Sequence, residues 1–68
     1  MAITLTREED RIIDNLYMKE ARPAITLEQL QRILLYSDGW FTVGGRKHII
    51  RSERIGPGIY SVWLELAR

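Results

Sequence analysis

The stretch WFTVGGRKHIIR, residues 40–51, decides between two folds for the second half of this chain. Residues 40–43 are aromatic or β-branched, which favours a strand. Gly44 and Gly45 fit a two-residue hairpin turn, because both tolerate the positive φ that a type I′ turn requires. With this turn, residues 46–55 form a strand, and the chain ends in a three-stranded meander packed on two helices.

The alternative for the same stretch is a third helix over about residues 42–53. In that helix Val43 and Ile50, seven residues apart, would face the core beside Ile49. Two glycines in its first turn cost about 1 kcal/mol each relative to alanine, which favours the hairpin. Against the hairpin, residues 46–55 alternate poorly, since Ile49 and Ile50 point to opposite faces of a strand. Periodicity leaves both alternatives open.

Upstream of this stretch, the sequence predicts a helix that begins at Thr6. Glu9 follows three residues later, which is the spacing of a capping box. The predicted buried face consists of apolar residues at helical spacing, namely Ile12, Ile13, Leu16 and Tyr17. The helix is expected over about residues 6–21, because the residue before Pro23 is pushed out of the helical region.

A second helix is predicted to begin at Thr26, where Gln29 repeats the capping-box spacing. Ile25 can pack on Leu30 as a hydrophobic staple. The apolar stripe of this helix consists of Leu27, Leu30, Ile33, Leu34 and Leu35. Turn-forming residues at 37–39 end it. The link between the helices is short, so we expect them to be packed neighbours.

The last predicted element is a strand over residues 59–66, preceded by the turn Gly56-Pro57-Gly58. Tyr60, Val62, Leu64 and Leu66 alternate onto one face of it. The sequence therefore predicts one α+β domain over residues 1–68, with two N-terminal helices followed by a small antiparallel sheet. A length of 68 residues leaves no room for a second domain.

Composition excludes several classes of protein. An apolar fraction of 46% argues against a disordered tail. The absence of cysteine excludes a disulfide scaffold and a thiolate zinc site, and it permits a reducing cytoplasm. No apolar run approaches 18 residues, so we expect no membrane span. With His48 as the single histidine, we expect no metal site and no cofactor.

Charge is distributed unevenly along the chain. Residues 1–40 hold five basic and seven acidic side chains, net −2, whereas residues 41–68 hold five basic and two acidic ones, net +3. Four of the basic residues lie between Arg46 and Arg54. A local basic patch is the electrostatic signature of a site for phosphate or for an acidic protein surface.

The order of helix, short apolar link, helix, basic segment, glycine-rich loop and strand resembles a winged helix-turn-helix DNA-binding domain, as in small phage excisionases and regulators. Residues 24–30 are similar to the stretch that enters the second helix of that family. The resemblance places residues 46–51 at the recognition-helix position and residues 54–60 in the wing. It implies a small DNA-binding regulator of transcription.

The residues expected to contact DNA follow from this charge and this resemblance, and they are Arg46, Lys47, His48, Arg51, Arg54, Gly56 and Gly58. A second hypothesis is a phage- or bacteria-encoded inhibitor or adaptor that docks on a larger host protein. There the same basic segment would meet an acidic surface, and Trp40 or Trp63 would be an interface hot spot. A helix over residues 44–55 would favour DNA binding, and a strand would favour the interaction module.

We expect no enzymatic activity. The Gly44-Gly45 pair precedes Arg46 and Lys47 but lacks the spacing of a phosphate-binding Walker loop. No serine is flanked by the glycines of a nucleophile elbow, and a chain this short has little room for a concave pocket. An exposed last strand, ending at Arg68, would leave an edge for pairing across a two-fold axis, so we expect a homodimer or a bound partner.

Overall fold

The computed structural model describes residues 3–18 and 21–67, which form two helices and one four-stranded antiparallel sheet. In chain order the elements are α1 (Arg7–Tyr17), β1 (Ala24–Thr26), α2 (Leu27–Ser37), β2 (Trp40–Val43), β3 (Arg46–Gly56) and β4 (Ile59–Leu66). The strands lie in the order β1-β4-β3-β2. The predicted α+β class, with two helices followed by an antiparallel sheet, is confirmed.

Residues 44–55 belong to a hairpin and not to a third helix. Gly44 and Gly45 have φ values of 60° and 77°, as a type I′ turn requires, and β3 then pairs with β2 along the whole of β2. The alternative helix over residues 42–53 is therefore wrong, and so is the recognition helix that the winged-helix resemblance placed at residues 46–51. Two glycines in sequence suit the turn, whereas in the first turn of a helix they would be unfavourable.

The link between the helices forms a strand that was not predicted. Ile25 lies opposite Tyr60 of β4, and the Val62 N–H donates to the Pro23 carbonyl oxygen over 3.1 Å. This pairing makes β4 a central strand, so the expectation that the last strand forms an edge is wrong. The edges are β1 and β2. Arg68, the predicted end of that strand, lies outside the described residues.

Both predicted capping boxes are present. The Thr6 and Thr26 hydroxyls accept the backbone N–H groups of Glu9 and Gln29, and the side chains of these two residues accept the threonine N–H groups in return. Helix α1 ends at Tyr17, with Met18 as its C-cap, and not near residue 21 as predicted. The chain must run extended by Pro23 to pair with β4. Lys19 and Glu20, which the prediction placed in this helix, lie outside the described residues.

The core lies between the helices and one face of the sheet. Its buried residues are Ile12, Ile13, Leu16, Ile25, Leu30, Ile33 and Val62. Phe41, Ile50, Tyr60 and Leu64 of the same sheet face pack against them. The apolar stripe predicted for α2 is too wide, because Leu27, Leu34 and Leu35 are exposed. Tyr17 is also exposed, although its ring contacts Phe41 edge-on, with 5.6 Å between the centroids.

One ion pair, between the buried Glu9 and the partly exposed Arg32, joins the two helices. Glu9 is only 2% exposed, and its carboxylate accepts from the Nε of Arg32 and from the Nη2 over 3.1 Å. The same Arg32 Nη2 donates to the Thr4 carbonyl oxygen over 2.8 Å. These bonds with Arg32, together with the Thr6 N–H, lower the pKa of Glu9 from 4.5 to about 2 despite the opposing effect of burial.

Candidate functional site

The strand β3 divides the basic segment between the two faces of the sheet, because alternate residues of a strand point to opposite sides. His48 and Ile50 lie on the helix-facing side, where alternation also places Arg46 and Arg54. The other side of the sheet is called the open face here. Its residues on β2, β3 and β4 are Trp40, Thr42, Lys47, Ile49, Arg51, Glu53, Ser61, Trp63 and Glu65.

The side chain of His48 is buried on the helix-facing side of the sheet. It is 5% exposed, and its Nδ1 lies 2.9 Å from the Arg46 carbonyl oxygen. It stands opposite Phe41 on β2 and Leu66 on β4, at the edge of the core. The sequence placed His48 among the residues expected to contact DNA, whereas in the structure its ring is turned toward the helices and away from solvent.

Trp40 and Lys47 form the first of two similar pairs on the open face. The Nζ of Lys47 lies 5.0 Å from the centroid of the Trp40 ring, which is a cation–π contact. The hairpin turn at Gly44 and Gly45 produces this contact, because it sets Lys47 opposite Thr42, one step diagonally from Trp40. Trp40 is 40% exposed, so part of its ring remains accessible to a ligand.

Trp63 and Arg22 form the second pair. The Cζ of Arg22 lies 4.4 Å from the centroid of the Trp63 ring, and on its other side Trp63 stands opposite Arg51 of β3. Sequence reasoning missed Arg22, because residues 22–25 were interpreted as a linker. Strand alternation could have indicated its position. Residues an odd number of positions apart in an extended chain point to opposite faces, and Arg22 is three residues from the core residue Ile25.

The open face also carries two carboxylates, which moderate its positive charge. The Glu65 carboxylate lies 3.6 Å from the Nε of Arg51, and both side chains are more than half exposed. Glu53 lies opposite Ser61, nearer the β3–β4 turn. The open face also carries three cations, which are Arg22, Lys47 and Arg51. Arg22 and Lys47 each lie over a tryptophan ring. The arrangement therefore alternates aromatic rings with positive charge across the width of the sheet.

The predicted wing is tied to the second helix. Pro57 and Gly58 form the turn between β3 and β4, and Gly58 has a φ of 68°. The Gly58 carbonyl oxygen accepts from the Leu27 N–H at the start of α2, over 3.1 Å. Arg54 is exposed near this turn, and its Nε donates to the Gly56 carbonyl oxygen over 3.2 Å. The structure thus separates Arg54, Gly56 and Gly58 from the tryptophans of the open face.

Two recesses of the surface lie away from the open face. These open recesses, of about 440 and 430 Å³, adjoin the first turns of the helices, and Arg7, Glu8 and Arg11 line the larger one. Within residues 3–18 and 21–67, no three His, Asp or Glu side chains are grouped so that they could hold a metal ion. In the same residues, neither helix has the length and apolar character to cross a membrane.

Comparisons with protein-family models, with curated proteins and with solved structures found no significant match to this chain.

Proposed function

We propose that this protein is a small, non-enzymatic DNA-binding module whose contact surface is the open face of the sheet. The observation that carries the proposal is the repeated pairing of tryptophan with a cation, Trp40 with Lys47 and Trp63 with Arg22. Cations attract the phosphate of a nucleotide, and aromatic rings stack on its base. The two side-chain types together therefore complement both the phosphate and the base. Such a role belongs in the cytoplasm, with which the cysteine-free sequence is compatible.

The contact surface differs from the one that a winged helix uses. Residues 46–51 belong to strand β3, so the position of the recognition helix in a winged helix is occupied by a strand of the sheet. Proteins also bind nucleic acid on the face of a sheet, where exposed aromatic side chains stack on bases. We therefore assign the binding role to Lys47 and Arg51, together with Arg22, and not to Arg46 and Arg54 on the opposite side.

A protein-interaction module is the second candidate, and the strand at residues 44–55 favours it. Strand β2 is an edge of the sheet, and an edge offers backbone N–H and C=O groups that can pair with another chain. Helix α2 also exposes Leu35 and Tyr36 to solvent, at 72% and 51%. A larger protein, or a second copy of this chain, would pair along β2 with Trp40 as an anchor.

The two candidates are separated by a binding assay with a matched control. Labelled DNA is titrated with the wild type at about 50 mM salt, where phosphate contacts are strong, and fluorescence anisotropy is followed. The test variant is Lys47→Ala with Arg51→Ala. The control variant is Arg46→Ala with Arg54→Ala, which removes the same charge from the same strand on the other side of the sheet.

The proposal predicts that the wild type binds DNA and that the test variant binds it about tenfold or more weakly, whereas the control changes little. The slope of log K against log salt should fall by about 1.4 to 1.8 in the test variant, for two lost phosphate contacts. No binding by the wild type, or equal losses in both variants, would overturn the proposal. A protein partner that survives nuclease treatment in a pulldown would then favour the second candidate.

A further inference from the structure

We infer that the ligand of the open face is single-stranded nucleic acid, bound with bases stacked on Trp40 and Trp63. This inference rests on the proposed function and names its substrate class. A tryptophan ring can stack only on a base whose flat face is free, and the bases of a duplex already stack on one another. The ring geometry therefore selects strands whose bases are unpaired.

The cations over the two rings are placed for an exchange. In the free protein the Lys47 ammonium and the Arg22 guanidinium lie over Trp40 and Trp63. When a strand binds, each cation moves to a phosphate and a base takes its place on the ring. The exchange is favourable because a base stacked on an aromatic ring is held more strongly than an exposed cation–π contact. Each cation thus covers the apolar ring until the ligand arrives.

The spacing of the rings fits a short run of nucleotides. Trp40 lies opposite Ile49, which in turn lies opposite Glu65, two residues from Trp63. Two strand spacings across the sheet and two residues along it separate the Cα atoms of the tryptophans by about 12 Å. The nucleotides of a fully stacked strand are spaced about 3.4 Å apart and those of an unstacked strand lie farther apart, so a run of no more than about four nucleotides spans both rings.

Charge on the open face favours a polyanion over a neutral or basic ligand. Arg22, Lys47 and Arg51 lie beside or between the two rings, whereas Glu65 is engaged by Arg51 over 3.6 Å. Glu53 lies toward the β3–β4 turn, two residues beyond Arg51. A nucleic-acid strand bound across the sheet from Trp40 to Trp63 would lie beside these cations. It would also pass Glu65, whose negative charge is offset by Arg51.

The test compares a single-stranded oligothymidine of about eight nucleotides with a duplex of equal length, by quenching of tryptophan emission. Trp40 and Trp63 are the two tryptophans of the chain, so the emission reports on the open face alone. The variants are Trp40→Leu and Trp63→Leu, which keep apolar bulk without a ring, and Trp40→Phe and Trp63→Phe, which keep a ring. Circular dichroism establishes that each variant is folded.

The inference predicts tighter binding of the single strand than of the duplex, and quenching on binding. Each leucine variant should bind the single strand about tenfold more weakly, as measured by anisotropy, and each phenylalanine variant should recover most of that loss. Oligomers of about two nucleotides should bind far more weakly than those of about four. If a leucine variant does not fold, the inference is tested by the affinity of the matching phenylalanine variant and by the dependence of affinity on oligonucleotide length.

Two outcomes overturn the inference, and they are distinguishable from failure of the proposed function. Duplex binding that equals or exceeds single-strand binding, with the charge dependence on Lys47 and Arg51 intact, rejects the stacking inference and leaves the proposed function standing. Equal affinity of the leucine and phenylalanine variants for the single strand also rejects it. Binding of neither form of DNA by the wild type rejects both.

Discussion

The ion pair of the buried Glu9 with Arg32 provides the clearest prediction on stability. Glu9→Gln keeps the capping box, because glutamine serves at the same position of the α2 box as Gln29, but it removes the charge that Arg32 contacts. The difference between a pKa of 4.5 and one of about 2 corresponds to about 3 kcal/mol. Solvent screens part of this, since the Arg32 side chain is 34% exposed. We therefore expect a loss of about 2 kcal/mol at neutral pH.

The loss should depend on pH in a defined direction. The pKa of Glu9 is lowered in the folded state, so its contribution is present above the unfolded value of about 4.5 and disappears as the pH falls toward about 2. The difference in unfolding free energy between the wild type and Glu9→Gln should therefore shrink by about half between pH 7 and pH 3.

The assay is urea unfolding at both pH values, followed by the tryptophan emission. Glu8→Gln is the matched control, because the exposed Glu8 carboxylate accepts one hydrogen bond from Gln29 and forms no ion pair with an arginine in residues 3–18 and 21–67. Its effect should stay within about 0.5 kcal/mol. For a domain of this size, the loss in Glu9→Gln corresponds to about 8–16 °C in Tm. Equal effects of the two variants, or a deficit that does not shrink at pH 3, would refute the reasoning.

Three further predictions concern the turn, the core and the open face. Gly45→Ala should cost about 1 kcal/mol in urea unfolding, because φ is 77° there; an unchanged midpoint would contradict the type I′ turn. Leu16→Ala should cost about 2–5 kcal/mol and Leu35→Ala less than about 0.5, since they are 1% and 72% exposed. Glu65→Gln should tighten DNA binding about two- to fivefold by releasing Arg51, and weaker binding in anisotropy would contradict this.

The helices could be predicted from the sequence because their signals are local. Capping boxes and apolar spacing depend on residues three to four positions apart, and both N-cap threonines were predicted at the observed residue. The end of α1 depends on a distant event, the pairing of Pro23 with Val62, so the expected boundary was too late. The central position of β4 follows from the same pairing and could not be read from alternation within the strand.

The charge pattern of the basic segment does not determine which face of the fold each side chain occupies. Charge alone marked residues 46–54, but the face that each side chain occupies depends on whether the segment is a helix or a strand. Once β3 is a strand, His48 goes into the core and Arg46 separates from Lys47. Arg22 joins the candidate site only through the register of β1, which rests on a three-residue strand that no periodicity within so short a segment can indicate.

The most direct test of the central claim is an NMR titration of the indole Nε1–H signals with a single-stranded oligonucleotide. The chain has two such signals, from Trp40 and Trp63, and both side chains lie on the open face. The account predicts that both signals shift and saturate with one Kd, together with the backbone amides of β3 near Lys47 and Arg51. Unchanged indole signals, or shifts confined to the exposed side of α2, would contradict it.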